Sequence, residues 1–322
     1  MELRMKPINI QEYVSRFHDT CDMNQEEISL SLIEEPAFPA RKPVSHKYSY
    51  GRALIIGGSK GYSGAPALAA NACERSGAGL TQLMVPENVY TIAATKCDGA
   101  VVSPLPANVN GAVSRDALET ILTALKTASA CAIGPGLGHD KDAEFIVEHT
   151  VRNASCPLIL DADAITIAGR NPELLKSAKA PLILTPHEGE FRRLGGDLSN
   201  GRLAGVLNFS KKYPETILIL KGYGTLVSFG KNVSVNPTGG PAMAKGGSGD
   251  VLCGIICALA AQGYDPLYAA ISGVNIHGAA GDLADEQFGQ FSVTPSDLIR
   301  FLPEVFRKCV SCAGMPQGSE IL

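Results

Sequence analysis

The feature that most constrains the fold of this 322-residue chain is a repeated alternation of short apolar runs with longer amphipathic or alanine-rich stretches. Each apolar run is continuous, which indicates a strand buried on both faces, as in a parallel sheet sandwiched between helices. We predict strands over residues 53–56, 80–85, 132–133, 158–160, 182–184, 216–220 and 225–227. The predicted fold class is therefore α/β, a three-layer αβα sandwich with a mostly parallel, doubly wound sheet.

The stretches between these strands carry the helical pattern. Helices are predicted over residues 65–76, 114–128, 143–151, 171–177, 203–213, 250–262, 266–283 and 294–306. No linker rich in Ser, Gly or Pro follows residue 50, so residues 46–308 are predicted to form one domain. Residues 1–45 are predicted to be an N-terminal extension with a short helix near residues 10–18, and residues 309–322 a C-terminal tail.

Composition limits the partners and the compartment of the protein. The net charge of −4 and the sequence pI of about 5.9 argue against a nucleic-acid or anionic-membrane surface, because both need a basic patch. The sequence has no apolar run of about 18 residues and no secretory signal at its start, so we expect no membrane span and a cytoplasmic location. The nine cysteines are predicted to be reduced, buried thiols.

A glycine-rich segment, residues 236–250, runs directly into an apolar stretch. Gly246, Gly247 and Gly249 lack a Cβ, so their N–H groups can turn toward a ligand, and the helix that starts here adds unpaired donors. Such a site suits a phosphate group. Asp250 would repel phosphate as a fixed charge, so we interpret it as the base that takes a proton from an attacking hydroxyl. The alternative is that Ser248 or Asp250 only caps the helix.

Further polar or glycine-rich segments follow other predicted strands, at the edge of the sheet where ligands bind in this architecture. They are residues 57–65, 134–138, 161–163, 185–190 and 221–225. Asp161 and Asp163 either orient Mg²⁺ through water or bind a hydroxyl, with helix capping favoured for Asp163. His187 and Glu190 are candidates for substrate contact. The last segment either holds a nucleotide or is only a hairpin turn, and His277 on a later helix is expected to be a satisfied core group.

Taken in order, these segments form a specific set of motifs. The set consists of His46-Lys-x-x-Tyr-Gly51, Gly57-Gly-Ser-x-Gly-Tyr-Ser-Gly-Ala-Pro66, Ser76-Gly-Ala-Gly-Leu80, Gly134-Pro-Gly-Leu-Gly138, Asp161-Ala-Asp-Ala-Ile165, Leu184-Thr-Pro-His-x-Gly-Glu190, Leu220-Lys-Gly222, Asn236-Pro-Thr-Gly239 and Gly246-Gly-Ser-Gly-Asp-Val251. Over residues 46–306 the chain resembles the ADP- or ATP-dependent NAD(P)H-hydrate dehydratases, a branch of the ribokinase-like superfamily.

The resemblance implies a ribokinase-like fold and a hydro-lyase that uses ADP or ATP to dehydrate the S-epimer of NADH hydrate or NADPH hydrate. NADH or NADPH is returned and phosphate is released. Hydroxide is a poor leaving group, and phosphorylation of the hydrate hydroxyl, with Asp250 as base, would let it leave as phosphate. Mg²⁺ is expected with the nucleotide phosphates, and no direct protein ligand is assigned to it.

The residue patterns and the resemblance together assign site roles. Catalysis is assigned to Asp250, with Gly247, Ser248 and Gly249 forming the anion hole. Contacts to the hydrate are assigned to Ala65, Gly136, His187, Glu190 and Asp250. Contacts to the adenine nucleotide are assigned to Lys221, Gly222, Tyr223, Gly224, Thr225, Gly246 and Gly249.

The resemblance also bears on partners. Residues 1–45 are too few to form the epimerase domain that is often fused to bacterial members, so we expect a separate NAD(P)H-hydrate epimerase. A homo-oligomer is expected by analogy with the family.

Two residues depart from the family pattern, since Glu188 stands where Pro is usual and Lys245 where Thr is usual. These charges either pair with each other or shift the nucleotide preference. Two other functions remain open at this point: a small-molecule hydroxyl kinase of the hydroxyethylthiazole kinase type, and a non-catalytic nucleotide-binding protein.

Overall fold

The computed structural model describes residues 29–311, which form one ten-stranded sheet, a two-stranded sheet and flanking helices. The strands are β1 (Ser29–Leu32), β2 (Phe38–Pro39), β3 (Arg52–Ile56), β4 (Leu80–Pro86), β5 (Val101–Leu105), β6 (Ala130–Ile133), β7 (Leu158–Leu160), β8 (Leu182–Leu184), β9 (Thr216–Leu220), β10 (Leu226–Phe229), β11 (Asn232–Val235) and β12 (Val310–Ser311). Their order in the large sheet is β1-β11-β10-β9-β8-β7-β6-β3-β4-β5. The seven strands from β9 to β5 are mutually parallel, β10 is antiparallel to both neighbours, and β1 is parallel to β11.

The α-helices that cover this sheet are α1 (Gly64–Arg75), α2 (Glu87–Lys96), α3 (Leu118–Leu125), α4 (Lys141–Asn153), α5 (Asp163–Arg170), α6 (Glu188–Arg193), α7 (Arg202–Lys212), α8 (Ser248–Ala261), α9 (Pro266–Phe288) and α10 (Pro295–Cys309). Short 3-10 helices lie at Lys47–Tyr50, Arg115–Ala117, Pro172–Ser177 and Pro241–Met243. In the described part of the chain, no helix has the length and apolar character needed to span a membrane.

The core divides into two apolar layers, one on each face of the sheet. Neighbouring residues of a strand point to opposite faces, so Ile55 packs in the layer with α1, α2, α8, α9 and α10, while Leu54 packs in the layer with α3–α7. Both side chains are fully buried. Burial on both faces explains why the strands are continuously apolar in sequence, and the predicted three-layer α/β sandwich is confirmed.

All seven predicted strands are present, and the strands that sequence patterns missed lie at or near the sheet edges. β5 is an edge strand that contains Pro104 and leaves Val101 half exposed, so it carries neither a strong apolar run nor an uninterrupted strand signal. Helices α2, α5 and α6 were also not predicted. The single helix predicted over residues 114–128 is instead a 3-10 turn followed by α3, and residues 172–177 form a 3-10 helix that starts at Pro172.

Part of the predicted N-terminal extension belongs to the folded body. β1 pairs with β11, with Leu30 opposite Val233, and β2 pairs with β12. The Phe38 ring is buried, with ring centroids 5.1 Å from Tyr264 and 5.8 Å from Phe306. The helix predicted near residues 10–18 and most of the predicted tail lie outside the described residues. The seven cysteines of the described range are free and buried, which confirms that prediction for them.

Candidate active site

A cleft of about 610 Å³ opens at the carboxyl edge of the sheet, between the β9–β10 turn, residues 236–249 and helix α9. Its lining includes the predicted site residues His187, Lys221, Gly222, Tyr223, Thr225, Gly246, Gly247, Ser248 and Gly249. Ala65, Gly136, Glu190, Gly224 and Asp250 do not line this cleft. The cleft thus brings together most of the residues that were predicted to bind the nucleotide.

The glycine-rich loop enters α8 through a left-handed residue. Gly247, the N-cap of α8, has φ = 99°, and a Cβ there would lie 2.8 Å from Pro295 Cγ and 2.9 Å from Leu68 Cδ1. Only glycine meets both demands without strain. Ser248 is already helical, and Asp250 makes no side-chain hydrogen bond to another described residue, so neither side chain caps the helix. The Ser248 N–H donates to the Lys245 carbonyl at 3.3 Å, whereas the N–H groups of Gly249 and Asp250 are available to an anion.

Asp250 lies in the first turn of α8, partly buried. The pKa of its carboxyl is raised to about 7, mainly by burial and next by the negative charge of Asp161, while the Lys221 ammonium opposes both. Asp163 and Glu190 add smaller effects in the raising direction. A pKa near neutrality suits a group that accepts a proton during turnover and gives it up again.

Beneath Asp250, three strand ends bring together a buried charge cluster. Lys221, which follows β9, places its Nζ 3.1 Å from Oδ1 of Asp161, which follows β7, and 3.9 Å from Oε2 of Glu190. Asp161 is 1% exposed and also accepts a hydrogen bond of 2.6 Å from the Thr185 hydroxyl. Burial lowers the pKa of Lys221, but the charges of Asp161 and Glu190 outweigh burial, so the pKa is raised and the ammonium is retained.

The two carboxylates of the 161–163 segment thus have separate roles. Asp163 is the first residue of α5 and accepts a hydrogen bond of 2.8 Å from the Gly138 N–H, so it fixes the neighbouring loop and does not cap the helix as expected. The N-cap position is taken by Ala162, which has φ = 48°. Within residues 29–311, no group of three His, Cys, Asp or Glu side chains is arranged to hold a metal ion.

His187 and Glu190 are locked together at the start of α6. Nδ1 of His187 accepts from the N–H groups of Gly189 at 2.9 Å and Glu190 at 3.3 Å, and Glu190 Oε2 accepts from the His187 N–H at 2.9 Å. These bonds require Nδ1 to be unprotonated, which leaves the proton on Nε2. Nε2 lies 3.5 Å from Glu190 Oε1, so the imidazole N–H and the carboxylate stand side by side, and of the two residues only His187 lines the cleft.

Ala65 and Gly136 meet where the loops after β3 and β6 pack together. A Cβ on Gly136, which has φ = 60°, would lie 3.3 Å from Ala65 Cβ, and the Ser59 hydroxyl donates to the Gly136 carbonyl at 2.9 Å. Ala65 is one turn before Leu68, which packs against Gly247. These two predicted hydrate contacts therefore lie on the side of Gly247 that faces α1.

The β9–β10 turn is held by an arginine that sequence patterns did not indicate. Arg202, nearly buried on α7, donates to the carbonyls of Tyr223 at 2.7 Å and Leu220 at 3.0 Å. Its Nε also lies 3.4 Å from Oε1 of Glu188. An interior arginine at a helix start gives no distinctive sequence signal, because its partners are carbonyls from distant residues.

The two residues that depart from the family pattern have separate partners. Glu188 pairs with Arg202 and, at 3.4 Å, with Arg192, while Lys245 Nζ donates to the Phe291 carbonyl at 2.6 Å. Of the two alternatives, the one in which they pair with each other is therefore wrong.

His277 is also placed differently from the expectation of a satisfied core group. It lines the cleft from α9, and its buried Nε2 has no hydrogen-bond partner among the described residues. Burial lowers the pKa of its imidazole to about 4, so the ring is neutral at neutral pH. Because the surrounding helix is apolar in sequence, the sequence alone did not indicate that His277 lines the cleft.

Comparison with known proteins places this geometry in a family. A family model described as NAD(P)H-hydrate dehydratase matches residues 53–304. A bifunctional NAD(P)H-hydrate repair enzyme of Moorella thermoacetica is 42% identical over 273 residues, which cover 84% of this chain and 52% of that protein. The chain spans about half the length of the curated relatives it matches.

Similar solved structures support the same family assignment. A ribokinase-like superfamily protein of Enterococcus faecalis has a TM-score of 0.77 and 27% identity to this chain, covering 90% of it and 99% of that protein. An ADP/ATP-dependent NAD(P)H-hydrate dehydratase of Bacillus subtilis, co-crystallised with ATP and Mg²⁺, has a TM-score of 0.72 and 33% identity, covering 85% and 95%. The fold is ribokinase-like, and the chain belongs to the NAD(P)H-hydrate dehydratase family.

Proposed function

We propose that this protein uses ADP or ATP to dehydrate the S-epimer of NADH hydrate or NADPH hydrate, returning NADH or NADPH and releasing phosphate. The observation that carries the proposal is Asp250, a carboxylate with a pKa raised to about 7, set one residue beyond the glycine-rich turn at the start of α8. Family membership supplies the substrate class, since the matched relatives are named for NAD(P)H-hydrate repair.

The cleft suits an adenine nucleotide. Its floor combines the turn at 222–225 with the Gly246–Gly249 amides, and Lys221 Nζ lies 3.1 Å from where a Cβ on Gly249 would be. An ammonium beside unpaired amides favours phosphate oxygens. We assign the base and ribose to the turn side and the reacting phosphate to Gly247, Ser248 and Gly249.

Mg²⁺ fits this site as a companion of the nucleotide. The donors that face the phosphate position are N–H groups and an ammonium, which do not ligate a cation, so the ion would be held by phosphate oxygens and water. Bound there, Mg²⁺ would neutralise phosphate charge. The B. subtilis relative, co-crystallised with ATP and Mg²⁺, supports this assignment.

In the proposed chemistry, Asp250 is the base for the phosphorylation step. Asp250 takes the proton of the hydrate hydroxyl as that oxygen bonds to the terminal phosphorus, and the phosphorus–oxygen bond to the nucleotide breaks. The amides of Gly247 and Gly249 stabilise the charge on the transferred group. The carbon–oxygen bond then breaks with phosphate carrying away the electron pair, and the departing phosphate takes the proton from the adjacent ring carbon, which restores the double bond. Asp250 returns the proton of the hydroxyl to water.

The hydrate is proposed to bind across Asp250, between the Ala65–Gly136 contact and the His187–Glu190 pair. The Nε2–H of His187 offers a donor to an amide or hydroxyl oxygen of the substrate, and the backbone N–H groups of Gly189 and Glu190, which donate to Nδ1, keep the imidazole in that tautomer. A separate epimerase in the same pathway and a homo-oligomeric state remain predictions.

The test is the recovery of reduced-nicotinamide absorbance when purified protein meets NADH hydrate and Mg²⁺, with ADP and ATP in parallel. We expect a rise that requires a nucleotide, matches released phosphate one to one, and is lost in Asp250→Asn. If the folded protein binds nucleotide and neither nucleotide produces a rise, the proposal is wrong and hydroxyl kinase substrates should be screened.

A further inference from the structure

We propose that Asp161 is a positioning residue that holds the Lys221 ammonium beside the Gly249 amide, and that it thereby couples nucleotide binding to the base Asp250. This inference rests on the proposed function for the role of Asp250. It assigns a task to a carboxylate that makes no contact with the cleft itself.

Asp161 is built as a rigid anchor. It directly follows β7 in the middle of the sheet, and its side chain is 2% exposed. Thr185, at the end of the neighbouring strand β8, donates to its Oδ1 at 2.6 Å, and Lys221 Nζ lies 3.1 Å from the same oxygen. A carboxylate fixed by two partners from two strand ends gives a flexible lysine one defined position.

The position that Asp161 gives to the Lys221 ammonium is next to the proposed phosphate site at Gly249. Lys221 Nζ lies between Asp161, Glu190 at 3.9 Å, and the place of a Gly249 Cβ at 3.1 Å. Glu190 is the more distant partner and is itself occupied by the His187 N–H. Asp161 is therefore the partner that sets where the ammonium stands relative to the phosphate amides.

The charges of the same cluster also shift the pKa of Asp250. The charged groups that act on it are Asp161 and Asp163 at the β7–α5 junction, Glu190 on α6 and Lys221 after β9, while the thiol of Cys253 follows it on α8. Burial is the main cause of its raised pKa, and Asp161 is the largest charge contribution. Removing the charge of Asp161 lowers the pKa of Asp250, and an ammonium released from Asp161 acts in the same direction.

The central experiment compares Asp161→Asn, Asp161→Glu and Thr185→Val by nucleotide affinity and by the pH profile of kcat/KM. Asp161→Asn keeps the size and removes the charge, so we expect the acid limb to move down by about 1 pH unit. Asp161→Glu keeps the charge and moves the anchor by one methylene, so the limb stays in place while ADP binds about tenfold more weakly. Thr185→Val keeps the charge and the lysine partner but removes one of the two bonds that fix the carboxylate, so we expect the limb to stay in place and ADP binding to weaken less than in Asp161→Glu.

A merely structural role predicts otherwise, because it would lower activity at every pH without moving the limb. An unmoved limb in Asp161→Asn, or unchanged ADP affinity in Asp161→Glu, overturns the proposal. If Asp161→Asn fails to fold, the affinity of Asp161→Glu decides alone. ADP affinity is measured without hydrate, so a wild-type protein that binds ADP but dehydrates nothing would refute the proposed function while leaving the anchor testable.

Discussion

Asp161 and Asp250 lie close together at the same edge of the sheet, yet their surroundings differ in one respect. Asp161 accepts hydrogen bonds from a hydroxyl and an ammonium. Asp250 makes no side-chain hydrogen bond to another described residue and has a pKa raised to about 7. Both are removed from bulk water to a large extent. The supply of partners, and not burial alone, therefore separates a carboxylate that fixes geometry from one that can exchange a proton.

The largest expected effect comes from removing the unpartnered carboxylate. Asp250→Asn should lower kcat by about 10³-fold, because proton transfer by a positioned base contributes on this order. ADP affinity should hold or improve, since a negative charge near the phosphate is lost. Steady-state kinetics and calorimetric titration check both. A variant that keeps more than a tenth of wild-type kcat would remove Asp250 from the proposed role.

The second-largest effect is expected when the ammonium of Lys221, which lies beside both Asp161 and Glu190, is removed. Lys221→Gln leaves Asp161 buried without its charge partner, which should destabilise the fold by about 3 kcal/mol, and it removes the ammonium from the phosphate site. We expect weaker ADP binding and a lower midpoint in chemical denaturation. Lys245→Gln is the matched control, because Lys245 is exposed and, within residues 29–311, its ammonium donates only to the Phe291 carbonyl. Equal stability losses in the two variants would contradict the buried-pair account.

The two carboxylates should also differ in how their removal affects unfolding. A folded-state pKa of about 7 against an ordinary value of 3.8 means that Asp250 stabilises the fold below about pH 3.8 relative to alkaline pH, and that this contribution is lost as pH rises through 7. Asp250→Asn should therefore be more stable than wild type by on the order of 2 kcal/mol at about pH 8, with the gain vanishing in acid.

The contrast is with Asp161→Asn, which removes the partner of a partly buried ammonium and should be less stable than wild type at about pH 8. Thermal unfolding of both variants at acid and alkaline pH gives the comparison. If both substitutions destabilise at alkaline pH, the two sites do not differ as described.

The smallest effect is expected from the difference in stability between Gly247→Ala and Gly246→Ala. Gly247→Ala forces a side chain onto φ = 99° and against Pro295 and Leu68, and should cost about 1–2 kcal/mol while weakening phosphate binding. Gly246→Ala, the matched control, adds a methyl to open space without positive φ and should change stability little. Denaturation and ADP titration of the pair would show whether the left-handed turn itself shapes the anion site.

Sequence patterns predicted the sheet well because its central strands are buried on both faces and therefore carry unbroken apolar runs, as in β7 and β8. They also predicted the position of the glycine loop, since a left-handed turn such as that at Gly247 needs glycine. The patterns failed where three-dimensional partners decide. Asp163 looked like a helix cap, and only the folded chain shows it bonded to the Gly138 N–H.

The same limit applies to charged and polar groups of the site. Whether Asp161 would face a cation or water depends on Lys221, sixty residues away, which local pattern cannot connect to it. Arg202 and His277 were missed or misjudged for this reason, because their neighbours come from other elements. The motifs indicated a candidate site, whereas the contacts that distinguish its side chains from one another could be read only from the fold.

The pairing of β1 with β11 has a consequence for how much of the chain the nucleotide site needs. Without residues 29–32, β11 would become an open edge, with backbone groups free to pair with another chain. The hairpin of β10 and β11 lies between the 221–225 turn and Asn236, so fraying at this edge would reach both sides of the cleft. A protein trimmed to begin at residue 46 would keep every motif residue and yet be prone to self-association through the strand beside its nucleotide site.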